Sequence, residues 1–234
     1  MLALVLIAAR DKVTSGGVGK DNVLHIVDTY CTDYEYRPKC AMEYFDDEKN
    51  VEDYVKMAEG YDGRELIDVL RNYLPQGSSV LELGMGPGTD LEILSEFYQV
   101  TGSDRSQTFL DRYQQRNEAA DLLWLDAVEM KTERRFDAIY SNKVLHHLTR
   151  EEMHHSLQTQ ANVLNDQGIM LHSLWVGDIE EEQHGLRFVY YTEASFRALL
   201  GEIFTVLEVA LYDEMEEKDS IYFVLQKRQL QPMS

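Results

Sequence analysis

Cysteine is nearly absent from this chain. Cys31 and Cys40 are the only two, and their spacing fits no zinc or redox motif, so neither a disulfide framework nor a structural metal is expected. Two unpaired thiols suit a reducing compartment, and the protein is expected to be cytoplasmic. Glycine (14) and proline (4) are too few for a disordered or fibrous chain. Basic residues are scarce: 22 Lys and Arg stand against 42 Asp and Glu, a formal charge of −20. A nucleic-acid binder needs a basic footprint to neutralise phosphates, so a nucleic-acid partner is not expected. The densest basic run, KTERR at 131–135, reads as a solvated loop. Long apolar runs are also lacking. The segment MLALVLIAA at 1–9 is too short to span a bilayer and lacks the basic flank of a signal peptide, so no membrane partner is expected.

What is present is a globular composition, 44% hydrophobic over 234 residues, enough for one α/β domain with a modest addition. There is no internal repeat. The pattern changes near residue 42: residues 1–41 have weak periodicity and read as an N-terminal extension, 42–228 as the main domain, and 229–234 as a tail.

Apolar spacing predicts helices at 50–58, 63–74, 89–98, 106–118 and 192–200, and a long helix opened by Thr149 and ended before Gly168. Thr149 and Glu152 have capping-box spacing. Strands are predicted at 78–83, 99–103, 122–125, 136–141, 169–175, 204–212 and 220–226. Trp124 and Trp175, both in strands, are expected in the core. The alternation implies a doubly wound, mostly parallel seven-stranded sheet covered on both faces. The polar stretch DEMEEKD at 213–219 joins the last two strands as a short loop, so the last strand should enter antiparallel.

In such a sheet ligands bind at the carboxyl ends of the strands. The first strand runs into Gly84, Gly86 and Gly88, just before a helix, with Glu82 inside the strand end. Glycine permits a tight turn and close approach of a ligand to backbone, and a carboxylate at Glu82 suits an ammonium group. Asp104 ends the second strand, twenty positions after Gly84, where it suits both hydroxyls of a ribose. Asp126 and Ala127 follow the third strand and suit an adenine edge, the side chain accepting from the exocyclic amine and the next N–H donating to a ring nitrogen. Ser141-Asn142 ends the fourth. Turn formation or helix capping is the plain structural role for Asp104 and Asp126.

With VLELGMGPG, VTGSD, LLWLDA and FDAIYSNKVLHHL in this order, the chain resembles the class I S-adenosylmethionine (SAM)-dependent methyltransferases, small-molecule branch, over residues 42–228. The resemblance implies an α/β, Rossmann-like methyltransferase fold and an enzyme that uses SAM as methyl donor and releases S-adenosylhomocysteine (SAH). It implies that Gly84 and its neighbours contact the methionine part, Asp104 the ribose, Asp126 with Ala127 the adenine, and that Asn142 lies near the methionine backbone. Tyr54 and Tyr61 fall where such enzymes close the site with an N-terminal helix. Met85 departs from the cysteine or small residue usual there.

The acceptor is less legible. A small molecule is expected, aligned and desolvated for in-line displacement, with a general base only if a proton must leave. Base candidates are His146, His147, His172 and His184, with Tyr191; acceptor candidates are Tyr54, His184, Arg187 and Tyr190, several of them in the long segment 176–191. Each also fits ordinary packing or a solvated loop. The spacings of His147 to His154 and His155 give no helical metal pair. A non-catalytic SAM-binding protein remains an alternative. So does an NAD-binding oxidoreductase, although the loop reads G-x-G-x-G rather than G-x-G-x-x-G and no room remains for a separate substrate domain.

Overall fold

The computed structural model describes residues 44–183 and 185–229. The proposed N-terminal extension, both cysteines, His184 and nearly all of the tail lie outside the described residues.

Helix α1 (Glu48–Ala58) begins where the Asp47 side chain accepts from the amides of Lys49 and Asn50, satisfying donors the first turn leaves open. Helix α2 (Arg64–Leu70) is shorter than the predicted 63–74, although Leu74 stays buried in the turns that follow. Then β1 (Ser79–Leu83), α3 (Thr89–Ser95), β2 (Gln99–Asp104), α4 (Gln107–Arg116), β3 (Leu122–Trp124) and β4 (Phe136–Asn142) alternate. A 3₁₀ turn at Leu145–His147 leads into α5 (Arg150–Val163), where Thr149 and Glu152 form the expected capping box. The chain ends with β5 (Leu164–Trp175), β6 (Glu180–Gln183), β7 (Leu186–Val189), α6 (Glu193–Leu200), β8 (Phe204–Tyr212) and β9 (Ser220–Lys227).

Seven strands form one sheet in the order β3-β2-β1-β4-β5-β9-β8. β1 to β5 are parallel, and β9 lies antiparallel between β5 and β8, as the short loop requires. Strand alternation sorts the core into two layers. Leu81, Leu83, Ile139 and Met170 face α5 and α6, with Met153, Leu157 and Phe196 among their neighbours. Val80, Ala138, Tyr140 and Leu171 face α2 and α3, with Ile67, Leu70 and Leu94. The strand order reverses between β1 and β4, which places the crevice at their carboxyl ends.

Two expectations are corrected. Trp124 is 57% exposed, standing at the end of β3, the strand at the sheet's edge; Trp175 is buried as expected. The segment 176–191 is not a plain loop. It contains the antiparallel pair β6–β7, whose Leu186 and Phe188 pack with Trp175 under Tyr44, Phe45, Tyr54 and Met57.

Candidate functional site

The loop after β1 closes on itself. The Met85 amide donates to the Ser103 carbonyl, the Gly88 amide to the Met85 carbonyl, and the Gly86 amide to Asp104 Oδ2 at 2.9 Å. Gly88 has φ +84, and a Cβ there would overlap the Tyr113 ring; it lets α4 pack close to the loop and does not itself line the crevice. Gly86 does line it, with φ +50 and only Tyr54 in ordinary contact range of an added Cβ. Met85 is buried among Leu91, Leu110 and Tyr113 and also contributes to the crevice lining.

The crevice, about 220 Å³, brings together most of the strand-end residues: Glu82, Gly84, Gly86, Asp104, Asp126, Ala127 and Asn142 all line it. Glu82 is buried and its Oε2 has no hydrogen-bond partner. Burial, with Asp90 and Asp104 nearby, holds its pKa well above the usual carboxylate range. Asp104 Oδ1 accepts from the Ser106 amide at 2.8 Å, and burial pushes its pKa up to about 6 against the lowering effect of these amides. With the amides of Gly86, Ser106 and Arg105 donating to it, the carboxylate keeps one further acceptor site for a ligand.

Asp126 serves the turn that follows it. Its Oδ1 accepts from the amides of Val128 (2.7 Å) and Glu129 (3.1 Å), and its Oδ2 pairs with Arg105 at 2.8 Å. The Ala127 carbonyl accepts from Ser156 Oγ. Asn142 is locked in place: its amide donates to Asp90 Oδ2 at 3.1 Å and its carbonyl accepts from Ser173 Oγ at 2.6 Å.

The far wall is aromatic. Tyr54, Tyr61, Phe45, His146, His147 and Phe188 line it. Phe45 is anchored by its carbonyl, which accepts from Ser106 Oγ at 2.6 Å. Tyr61 is 41% exposed at the rim. His146 stacks on Phe188 with centroids 5.3 Å apart, and its Nδ1 has no partner. His147 Nδ1 lies 2.7 Å from the Arg187 carbonyl, so it carries the proton and leaves Nε2 as the basic nitrogen. Burial drives the His146 pKa well below its ordinary value and lowers His147 to about 4, so both rings are neutral at physiological pH.

Tyr190, Tyr191, Arg187 and His172, the other described candidates, do not line the crevice. Tyr191 is fully buried against Phe196, and Tyr190 donates to Glu181 at 2.7 Å. Arg187 contributes its carbonyl to His147 rather than a guanidinium to the crevice. His172 is buried inside the sheet, 2.8 Å from Ser141 Oγ. Among the described residues, no cluster of His, Cys, Asp and Glu suits a metal ion.

Three residues escaped the sequence reading. Asp90, in the first turn of α3, accepts from the Gly63 amide (2.6 Å), Tyr140 OH (2.8 Å) and Asn142, and so ties the segment before α2 to β4. Lys143 and Glu214 form an ion pair of 2.7 Å in the crevice wall. Asp90 is an acid among apolar helix positions, a signal that was present in the sequence. Nothing local marks Lys143 or Glu214, which lie 71 residues apart and meet only because β9 inserts between β5 and β8.

Residues 80–168 match the family model described as a methyltransferase domain. No curated protein sequence matches the chain. Among solved structures, a 1,6-didemethyltoxoflavin-N1-methyltransferase from Burkholderia thailandensis, with 1,6-didemethyltoxoflavin and SAH bound, is similar at TM-score 0.70 and 19% identity, covering 85% of this chain and 94% of that one. The N-methyltransferase NodS from Bradyrhizobium japonicum WM9, in complex with SAH, is similar at TM-score 0.60 and 16% identity, covering 82% and 99%. A SAM-dependent methyltransferase from Clostridium acetobutylicum ATCC 824 is similar at TM-score 0.63 and 12% identity, covering 76% and 99%. The match to a methyltransferase domain is thus confined to residues 80–168, and the sheet has the class I, Rossmann-like methyltransferase fold of these structures.

Proposed function

We propose that this protein is an enzyme that moves a methyl group from SAM to a small-molecule acceptor in the crevice at the ends of β1, β2 and β4. The observation that carries the reading is the charge and hydrogen bonding of the glycine loop. A dinucleotide site presents free backbone N–H groups to a pyrophosphate. Here the amides of Met85, Gly86 and Gly88 are spent on Ser103, Asp104 and Met85, and the buried acids Glu82 and Asp90 and the half-buried Asp104 surround them. That floor repels phosphate and fits a ligand with an ammonium group, a ribose and no phosphate. The unpartnered Glu82 Oε2 suits the ammonium, the remaining acceptor site of Asp104 a ribose hydroxyl, and the Asp126–Ala127 turn the adenine.

When bound, SAM supplies an electrophilic methyl on a good neutral leaving group. The chain's own residues then align the acceptor and exclude water. Phe45, Tyr54 and Phe188 supply the dry wall. A proton leaving the acceptor can pass to a neutral imidazole, of which His147 Nε2 is the better placed because its Nδ1 is fixed on the Arg187 carbonyl. The small-molecule reading draws on the acidic surface, which disfavours nucleic acid, and on the Burkholderia neighbour, which holds 1,6-didemethyltoxoflavin. A cytoplasmic site of action goes with a sequence that has two cysteines, at a spacing that fits no disulfide framework. Among the described residues no helix is long and apolar enough to cross a membrane.

Calorimetric titration of the full chain with SAH and with NAD tests the reading. Micromolar-range binding of SAH and none of NAD is expected; binding of NAD alone overturns it.

A further inference from the structure

The loop between β8 and β9 is built to aim one side chain inward. Asp219 accepts from the amides of Glu214, Met215 and Glu216, all at 3.0 Å, and Asp213 accepts from the Lys218 amide at 2.7 Å. This fold turns Glu214 into the crevice wall, where its side chain is 18% exposed. Its Oε2 receives Lys143 Nζ at 2.7 Å, Tyr212 OH at 3.1 Å and Ser220 Oγ at 3.3 Å.

Lys143 is 8% exposed and gives its charge wholly to this arrangement. Besides Glu214, its ammonium donates to Ser220 Oγ at 2.6 Å and lies 3.5 Å from the centroid of the Trp175 ring. Its backbone has φ +55, a conformation that side-chain-bearing residues adopt at a cost and that tertiary contacts must hold. Lys143 is therefore a positioning residue, and the group it presents is the carboxylate of Glu214.

The surroundings define what that carboxylate would meet. Six acids line the crevice, Asp62, Glu82, Asp90, Asp104, Asp126 and Glu214, against two bases. Both bases are already paired, Arg105 with Asp126 and Lys143 with Glu214. An anionic acceptor would enter against this field without an uncommitted cation to receive it. An amine would enter with the field, donate to Glu214 and rest its body against the faces of Phe45, Tyr54, Phe188 and His146.

We propose that Glu214, held by Lys143, Tyr212 and Ser220, is the acceptor-recognition carboxylate, and that the acceptor is a small amine on an aromatic or apolar body. The inference rests on the methyl-transfer reading and names the substrate class of that same site. It is tested by titrating benzylamine, and separately benzoate, into the full chain already saturated with SAH. Benzylamine is expected to bind at least tenfold more tightly than benzoate. Glu214→Gln is expected to weaken benzylamine binding at least tenfold while the SAH dissociation constant stays near wild type; the melting temperature falls, because the buried Lys143 loses its partner. Glu214→Asp, which keeps the charge but withdraws it by one methylene, recovers part of the affinity, as a merely structural role does not. Absence of benzylamine binding, benzoate binding as tightly, or an unchanged benzylamine affinity in Glu214→Gln overturns the proposal. Failure of the wild-type chain to bind SAH shows in the first titration and counts against the donor reading instead.

Discussion

Asp104 carries two demands on one carboxylate: it fixes the glycine loop through Gly86 and α4 through Ser106, and it faces the crevice with its remaining acceptor site. Burial sets its pKa at about 6. Above that pH it is ionised and accepts from a ribose; below it, a proton occupies one acceptor site. SAH affinity should therefore fall as pH drops through about 6. Asp104→Asn should weaken SAH binding at pH 7.5 by on the order of 1–3 kcal/mol, and its gap from wild type should narrow at pH 5. Calorimetry at both pH values checks this, and an equal gap at each would remove Asp104 from the ribose site. Neighbouring Glu82 also titrates above its usual range, so the difference between variant and wild type, not the wild-type curve alone, isolates Asp104. Asp104 and Asp126 were legible because strand ends can be found from apolar runs, and an acid at each is a simple pattern. The pairing of Lys143 with Glu214 was not, because it depends on which strands neighbour each other. Nor could the sequence tell that Tyr190 and Tyr191 turn away from the crevice: two adjacent strand-end tyrosines look equally available until the β6–β7 pair is placed.

At the scale of elements, the loop between β1 and α3 divides its glycines by task. Gly88 is a packing glycine, since a Cβ would overlap Tyr113 on α4, whereas Gly86 opens on the crevice. Gly88→Ala should combine left-handed backbone strain of about 1–2 kcal/mol with overpacking of about 1–3 kcal/mol. Gly86→Ala incurs only the strain, yet places a methyl group on the ligand's side. Urea unfolding should show Gly88→Ala as the more destabilised, and SAH titration of the folded proteins should show Gly86→Ala as the weaker binder. The reverse order in either measurement would sink this division. The main sheet was legible from alternating apolar runs and turn residues, down to the antiparallel β9. The β6–β7 pair was not, because β6 reads Glu-Glu-Glu-Gln, a composition of poor strand propensity that is held here by its partner's buried Leu186 and Phe188. Trp124 misled for a related reason: its strand was found, but a position at the sheet's edge is a property of strand order, not of the residue.

For the whole molecule the dominant quantity is charge. With 42 acids and 22 bases, 42 − 22 = 20 negative charges stay uncompensated even if every Lys and Arg is paired. Exposed pairs such as Lys49–Asp53, Lys56–Glu52 and Arg197–Glu193 contribute little in water, so salt removes little by screening them. It removes more by screening the repulsion among the excess acids, whose range shrinks from about 30 Å at 0.01 M ionic strength to about 8 Å at 0.15 M. The melting temperature should therefore rise between 10 and 150 mM sodium chloride, each kcal/mol of relief giving about 2–4 °C for a domain of this size. The same screening weakens the pull of the acidic crevice on a cationic amine, so benzylamine affinity should fall over the interval in which stability rises. Thermal melts and titrations on the same two buffers separate the effects. A melting temperature that falls with salt would mean that the excess charge is already balanced within the fold, and that local ion pairs rather than net repulsion govern its stability.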